Sequence, residues 1–317
     1  MGLRHIPVMP NQVIEGLNIK PGGVYLDGTV GAGGHSFLIA QKLDKTGRLI
    51  CMDRDAEAIK LALERLRGFS NVTFIKDNFA NAKTALAGLG ITGLDGVLLD
   101  LGVSSMHLDD GARGFSFQQD AEPDMRMDRD SGFSALDVVN KYSVKDMTRI
   151  FVRYGEERFA GRIARAIEQA RGVSPIMSTL RLADIIAYAI PRAKWEKTKH
   201  PATRVFQAIR IEVNNELGVL ERAIRDFTDM LNPSGRLLII SFNSLEDRII
   251  KNTFNSLVEP CTCPKDMPVC ICGKKPLATK ITKKHIKPDA KELAANIRSR
   301  SAKLRIIEKM RTDTETT

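Results

Sequence analysis

Gly23-Val-Tyr-Leu-Asp-Gly-Thr-Val-Gly-Ala-Gly-Gly-His35 decides how this chain folds. An apolar, β-branched strand runs into an acid, Asp27, and then into a glycine-rich turn. Gly31, Gly33 and Gly34 allow a tight backbone and close approach to a ligand. Ser36–Leu43 reads as a helix, so the turn sits between a strand and a helix N-terminus. Nineteen residues past Gly34, a second apolar strand, Arg48–Met52, ends at Asp53. An acid at the tip of the second strand suits the two hydroxyls of a ribose. The stretch therefore announces a doubly wound α/β domain for a nucleoside-containing cofactor.

The order of acid and glycines narrows the cofactor. A dinucleotide site needs amides open to a pyrophosphate, with G-x-G-x-x-G spacing. Here Asp27 precedes the glycines, where it would repel a pyrophosphate and welcome an amino-acid ammonium. This favours S-adenosyl-L-methionine over a nicotinamide dinucleotide.

The chain has 317 residues, enough for two domains with their own cores. With 27% charged and 43% hydrophobic residues its composition is that of a soluble globular protein. No apolar run approaches the ~20 residues of a membrane span, and the opening residues lack signal-peptide and myristoylation patterns. A cytoplasmic protein with no membrane partner is expected. The net charge is +10, and from Gly273 to Thr317 there are 13 Lys and Arg against 5 Asp and Glu. That surplus suits a polyanion such as nucleic acid, or simply a solvated basic face.

Of five cysteines, Cys51 falls in an apolar strand and reads as core. Cys261, Cys263, Cys270 and Cys272 form a C-x-C-x6-C-x-C array that could close a tetrahedral zinc site. The C-x-C chelate is tighter and less common than C-x2-C, and unliganded loop thiols are the plainer reading. No metal is assigned, and zinc is left open.

Strand-like runs at Val24–Leu26, Leu49–Met52, Val72–Ile75 and Val97–Leu99 alternate with helical segments such as Asp55–Leu66. This is the βαβ pattern of a parallel sheet. It stops after Asp100. From about Leu108 to His200 only helical stretches follow: Ala135–Val139, Val144–Phe151, Glu156–Arg171 and Thr179–Ala189. One long helical run, Thr203–Leu231, then leads to a turn at Asn232–Gly235 and a buried strand, Arg236–Phe242. A helix at Ser244–Leu257 and strands at Thr279–Ile286 and Lys303–Ile307 complete the pattern. The expected organisation is an α/β domain, 1–107 and 203–317, carrying an inserted all-helical domain, 108–202, for the substrate.

Ligands of such sheets bind beyond the carboxyl ends of the strands. Asp27, Asp53, Asp77 and Asp100 all fall there. Asp53 is expected to hold the ribose. Asp77 meets the adenine amine or serves as a turn acid, and Phe79 covers the adenine or packs in the core. Asp100, in Leu98-Leu-Asp-Leu-Gly-Val-Ser-Ser105, is the candidate catalytic residue. It could accept a hydrogen bond from an exocyclic amine, localise the lone pair and take the surplus proton. His107 is a second candidate. In the insertion, Arg158, Arg162 and Arg165 form a helical stripe, and Arg192, Lys194, Trp195, Lys197, Lys199 and His200 form a basic loop with one aromatic ring. Cations for phosphate and rings for unstacked bases suit structured RNA.

At these residues the sequence resembles the bacterial 16S rRNA cytosine-N(4)-methyltransferase family (RsmH, also called MraW), nearly end to end. The likeness rests on His5-Ile-Pro-Val-Met9, Gly31-Ala-Gly-Gly-His-Ser36, Met52-Asp-Arg-Asp55 and Leu98–Ser105. It continues through Arg113-Gly-Phe-Ser-Phe117, Asp124-Met-Arg-Met-Asp128, Tyr154-Gly-Glu-Glu-Arg-Phe159, His200-Pro-Ala-Thr-Arg204, Ser244-Leu-Glu-Asp-Arg248 and Arg298-Ser-Arg-Ser-Ala-Lys-Leu-Arg305. The resemblance implies a Rossmann-like methyltransferase sheet and methylation of a cytosine 4-amino group in the decoding region of 16S rRNA, within the small ribosomal subunit. It implies S-adenosyl-L-methionine contacts at Gly33, Gly34, His35, Asp53, Phe79, Asp100 and His107, the last through side chain or backbone. Oligomeric state is left open, a homodimer being one option. Asn243 stands where the family usually has histidine, which puts any acid–base role at that position in doubt. Pro10 stands where leucine is commoner.

Overall fold

In the computed structural model, residues 7–264, 267 and 269–311 are described. His5 and Ile6 of the first family motif, and 312–317 of the basic C-terminal segment, lie outside them. The chain divides into two compact units, Met1–Gly102 with Leu217–Thr317, and Val103–Glu216. The second unit starts ahead of residue 108 and runs beyond residue 202, the bounds drawn from the sequence for the insertion.

The first segment runs α1 (Pro10–Leu17), β1 (Val24–Asp27), α2 (Gly34–Ala40), β2 (Arg48–Asp53), α3 (Ala56–Arg65), β3 (Val72–Lys76), α4 (Ala82–Gly88) and β4 (Leu94–Asp100). The second unit contributes α5 (Ser105–Asp109), α6 (Ala135–Lys141), α7 (Val144–Gly155), α8 (Ala160–Val173), α9 (Thr179–Ala189) and α10 (Thr203–Asn214). The chain then resumes with α11 (Leu220–Met230), β5 (Leu231–Ser241), α12 (Ser244–Val258), β6 (Ala278–Lys280), α13 (Ala290–Ala295) and β7 (Lys303–Lys309).

The strands form one sheet in the order β3-β2-β1-β4-β5-β7-β6. β1 to β5 are parallel, and β7 enters antiparallel between β5 and β6. Strand residues alternate between two cores, as a period of two requires. Leu26, Ile50, Met52, Val97, Leu99 and Ile239 face α4, α11 and α12. Tyr25, Leu49, Cys51, Leu98, Leu238 and Ile240 face α1, α2 and α3. Both faces are covered, so the strands read as unbroken apolar runs. Each fully buried Leu, Ile or Phe contributes roughly 1.5–3 kcal/mol. The sheet is doubly wound and Rossmann-like, as expected. No helix among the described residues is long and apolar enough to cross a membrane.

Four elements differ from the sequence expectation, the first being β5, which begins at Leu231 and takes in the turn expected at Asn232–Gly235. The run Thr203–Leu231 is two helices: Asn215 adopts the left-handed conformation (φ 47°) and ends α10, and α11 starts afresh at Leu220. The strand expected over Thr279–Ile286 ends at Lys280, because the Thr282 hydroxyl takes the Ile306 amide (3.2 Å) in place of a ladder carbonyl. Ile286 rejoins β7 only as an isolated bridge to Leu304. The helix expected from Glu156 begins at Ala160, since Glu156 is the left-handed cap that closes α7 (φ 49°). Arg158 therefore precedes the helix, and only Arg162 and Arg165 of the expected stripe lie on it.

The second unit has a core of its own. Met147, Ile150 and Phe151 of α7 meet Ile163 and Ile167 of α8, Leu182 and Ile186 of α9, and Val205, Phe206 and Ile209 of α10. These follow the i, i+3, i+4 spacing of one helix face. Two family motifs prove architectural here. Asp124 holds Arg126 through paired contacts (Nε–Oδ1 2.6 Å, Nη2–Oδ2 3.0 Å). The buried Arg113 donates to the carbonyls of Arg126 (3.0 Å) and Met127 (3.1 Å). The buried Asn214 side chain donates to the Met125 carbonyl (2.7 Å) and accepts from the Met127 amide (2.9 Å).

Asn214→Ala leaves those two main-chain groups without their side-chain partner. It should cost about 2–3 kcal/mol, read by urea denaturation, and Asn214→Asp should cost at least as much, because its second oxygen would face the Met125 and Arg210 carbonyls in a buried place.

Candidate active site

The strand order reverses at β1 and β4, so the crevice beyond their carboxyl ends is the place for a ligand. The glycine turn lies there, pinned to both neighbours of β1. The Gly28 amide donates to Leu98 of β4 and the Val30 amide to Met52 of β2, each at 2.9 Å. A Cβ on Gly28 would sit 2.6 Å from a Leu99 methyl, and Gly33 adopts a left-handed conformation (φ 76°) that favours glycine. Gly34, His35 and Ser36 open α2 and are all buried.

Asp27 closes β1 and is 1% exposed. Its carboxylate accepts from the Ser36 hydroxyl (2.6 Å) and the Thr29 amide (3.2 Å). Burial pushes its pKa up to about 6, against the lowering effect of the Ser36 hydrogen bond and of His35. Asp27 thus braces the turn from within, which differs from the ammonium-facing role expected of it. Burial also raises the neighbouring Cys51 thiol.

Asp53 closes β2 and accepts from the Gly31 amide (2.9 Å) on one oxygen and the Asp55 amide (3.0 Å) on the other. Its carboxylate is therefore fixed at the rim of the turn. Asp100 closes β4 and gives its amide to the Thr29 hydroxyl (2.7 Å). Its Oδ2 lies 3.6 Å from His35 Nε2, the side chains being 20% and 7% exposed. Both imidazole nitrogens and Asp100 Oδ1 are buried without a hydrogen-bond partner among the described residues. Such orphans cost roughly 1–3 kcal/mol each unless something pairs with them, so this corner is built to receive a polar ligand.

Phe79 follows β3 and packs on the edge of the core beside Gly28. Asp77 accepts from the Asn78 amide (2.6 Å) and the Asn81 side chain (2.8 Å), which makes it a turn acid. The structure thus gathers the glycine turn, His35, Asp53, Phe79 and Asp100. His107 belongs to the second unit. Its Nδ1 accepts from the Ser104 amide (3.2 Å) in a capping box at the start of α5, and its ring stacks on Phe115 at 4.9 Å. Thr29 and Ser36 escaped the sequence reading. Hydroxyls in a glycine-rich turn are too common to stand out before their partners are known.

Asn243 caps α12. Its Oδ1 accepts from the Leu245 (3.0 Å) and Glu246 (2.9 Å) amides, and Glu246 reaches back to the Phe242 and Asn243 amides (2.9 and 3.3 Å). Asp247 binds Lys303 (3.1 Å) and Arg305 (2.7 Å), tying α12 to β7. Part of the basic C-terminal segment is therefore spent inside the fold. In the second unit, a cavity of about 340 Å³ is lined by Arg158, Lys194, Trp195, Lys199, His200 and Arg204, among others. Arg192 lies over the Trp195 ring at 5.8 Å.

A sequence profile described as the MraW methylase family matches residues 2–310. The chain belongs to that family. It is 52% identical over 311 residues to ribosomal RNA small subunit methyltransferase H of Pelobacter propionicus, covering 98% of this chain and 99% of that one. The enzyme of the same name from Clostridium botulinum strain Loch Maree is 51% identical over 310 residues, covering 98% and 100%. That of Geobacter sp. strain M21 is 52% identical over 307 residues, covering 96% and 98%. Membership of the MraW methylase family makes the chain a methyltransferase. The acids and glycines lie beyond the carboxyl ends of β1, β2 and β4, the general ligand position of such sheets.

Because Asp27 is more basic in the fold than the 3.8 of an ordinary carboxyl, the folded chain keeps its proton longer than the unfolded one. The contribution of Asp27 to stability is full below about pH 4, falls as pH rises toward 6, and is flat above. The loss is about 3 kcal/mol. Asp27→Asn should remove that slope, measured by denaturant titrations from pH 4 to 8.

Proposed function

We propose that this chain methylates the exocyclic 4-amino group of a cytosine in the decoding region of 16S rRNA, acting in the cytoplasm on the small ribosomal subunit. The cofactor is S-adenosyl-L-methionine, which supplies an electrophilic methyl group on a sulfonium. The observation that carries the reading is the buried, unpaired corner of His35 and Asp100 beside the Asp53-braced glycine turn. Sequence identity of 51–52% along whole chains to ribosomal RNA small subunit methyltransferase H supplies the acceptor class.

In this reading Gly33, Gly34 and His35 hold the amino-acid end of the cofactor, Asp53 the ribose hydroxyls, and Phe79 one adenine face. The family pattern adds His107, through side chain or backbone. Asp100 is the catalytic residue. Its Oδ1 accepts a hydrogen bond from the cytosine amine, which draws the nitrogen lone pair out of the ring and toward the methyl. S-adenosyl-L-methionine held by these residues would supply the methyl group, its sulfur keeping the electron pair as the amine takes that methyl, and Asp100 would take the surplus amine proton. The rest of the acceleration comes from alignment. Asn243, occupied as a helix cap, takes no part in the proton transfer.

The second unit is the substrate-recognition part of this proposal. Its cavity joins cations that suit phosphate to a Trp195 face on which an unstacked base can rest.

The test is purified protein with radiolabelled S-adenosyl-L-methionine and undermethylated 30S subunits, with naked 16S rRNA, DNA and protein in parallel. Label recovered as N(4)-methylcytosine from the subunit is expected; label in DNA or protein alone would overturn the acceptor. Asp100→Ala should cut turnover well over tenfold while circular dichroism and cofactor binding persist. Asp53→Ala should instead weaken S-adenosylhomocysteine binding by roughly tenfold in calorimetry, the worth of about one charge-assisted hydrogen bond.

A further inference from the structure

The loop between α12 and β6 carries a cluster that methyl transfer does not use. Its base is closed by the Leu277 amide on the Leu257 carbonyl (2.9 Å). Within it Cys261, Cys263, Cys270 and Cys272 turn their sulfurs toward one another, all four Sγ atoms lying within 4.8 Å. Cys270 Sγ is 3.5 Å from Cys261, 3.8 Å from Cys263 and 3.4 Å from Cys272. A zinc ion with four thiolates at about 2.3 Å in a tetrahedron sets its sulfurs about 3.8 Å apart. The cluster sits at that spacing.

We propose that these four cysteines bind one structural zinc ion as a closed tetrathiolate site. The side chains around them point the same way. Val269 is 69% exposed and Ile271 77%, so these apolar side chains face solvent while the four sulfurs converge on one another, Cys263 and Cys272 half-buried and Cys261 and Cys270 exposed. A loop that turns these apolar side chains to solvent and its sulfurs toward one common point is shaped to hold an ion there. Four sulfur ligands in a tetrahedron select zinc over the hard cations, which prefer oxygen. The zinc tetrathiolate carries two negative charges, and Lys274 is placed beside it, its Nζ 3.3 Å from the hydroxyl of Thr262 between the first two ligands. All four positions being protein ligands, the ion has no open site for catalysis and acts as a staple. Each thiol gives up a proton as it binds. Cys51, buried in β2, is not part of the site.

The test is untagged full-length protein, expressed in zinc-supplemented medium and purified without chelator, analysed by plasma mass spectrometry for metal and by intact mass for thiol state. One zinc per chain is expected, falling to background in the fourfold variant Cys261→Ser, Cys263→Ser, Cys270→Ser, Cys272→Ser. Cobalt added to metal-stripped, reduced wild-type chain should give the intense thiolate-to-metal absorption of a tetrahedral tetrathiolate centre. Stripping should open the loop to protease while S-adenosylhomocysteine binding stays unchanged, which separates failure of this site from failure of the methyltransferase reading. Three results would overturn the proposal: zinc content the same in the fourfold variant, no metal taken up by reduced wild-type chain, or an intact mass showing the four cysteines paired as disulfides. Iron in place of zinc would overturn it as well.

Discussion

A single buried carboxylate ties the cofactor corner together. Asp27 is taken out of water at the tip of β1 and holds Thr29 and Ser36 on either side of the glycine turn. Thr29 in turn accepts the amide of Asp100, so β4 is placed by the turn that β1 feeds. The turn's own amides reach β2 and β4, and Gly31 orients Asp53. Asp100 thus stands two hydrogen bonds from Asp27, through Thr29, and Ser36, the chain neighbour of His35, stands one. The unfavourable burial of that carboxylate, visible in its raised pKa, accompanies a rigid corner.

The sheet was legible in the sequence because its strands are short apolar runs ended by acids. Asp27, Asp53 and Asp100 mark the last residues of β1, β2 and β4. Boundaries that depend on a side chain replacing a backbone partner were not legible. Thr282 ends β6 in that way, and Asn215 splits the run after Thr203 by taking a conformation that most residues avoid. At the site, residue types and chain order pointed to the glycine turn, Asp53 and Asp100, and the family resemblance added His35. The hydrogen bonds of Asp27 to Thr29 and Ser36 depend on distances that spacing does not encode.

Several long family motifs outside the glycine turn serve architecture. Arg113, Asp124, Arg126 and Asn214 satisfy main-chain groups around Met125 and Met127 in the second unit. Glu246 and Asp247 cap α12 and bind β7 in the first. A motif that looks catalytic for its charge can exist because a buried carbonyl or amide needs a partner. Asn243 fits this pattern, since a short amide side chain is a good N-cap.

The placement of β7 has a consequence for synthesis. It lies between β5 and β6, although it follows both in the chain, and pairs with each in antiparallel fashion. Until Lys303–Lys309 leaves the ribosome, β5 keeps an open edge lined by Leu237, Leu238 and Ile239, and Asp247 has neither Lys303 nor Arg305. The sheet closes only when this late strand slides into a gap already framed by its predecessors. A nascent chain that lacks this strand therefore presents a sticky, half-finished edge.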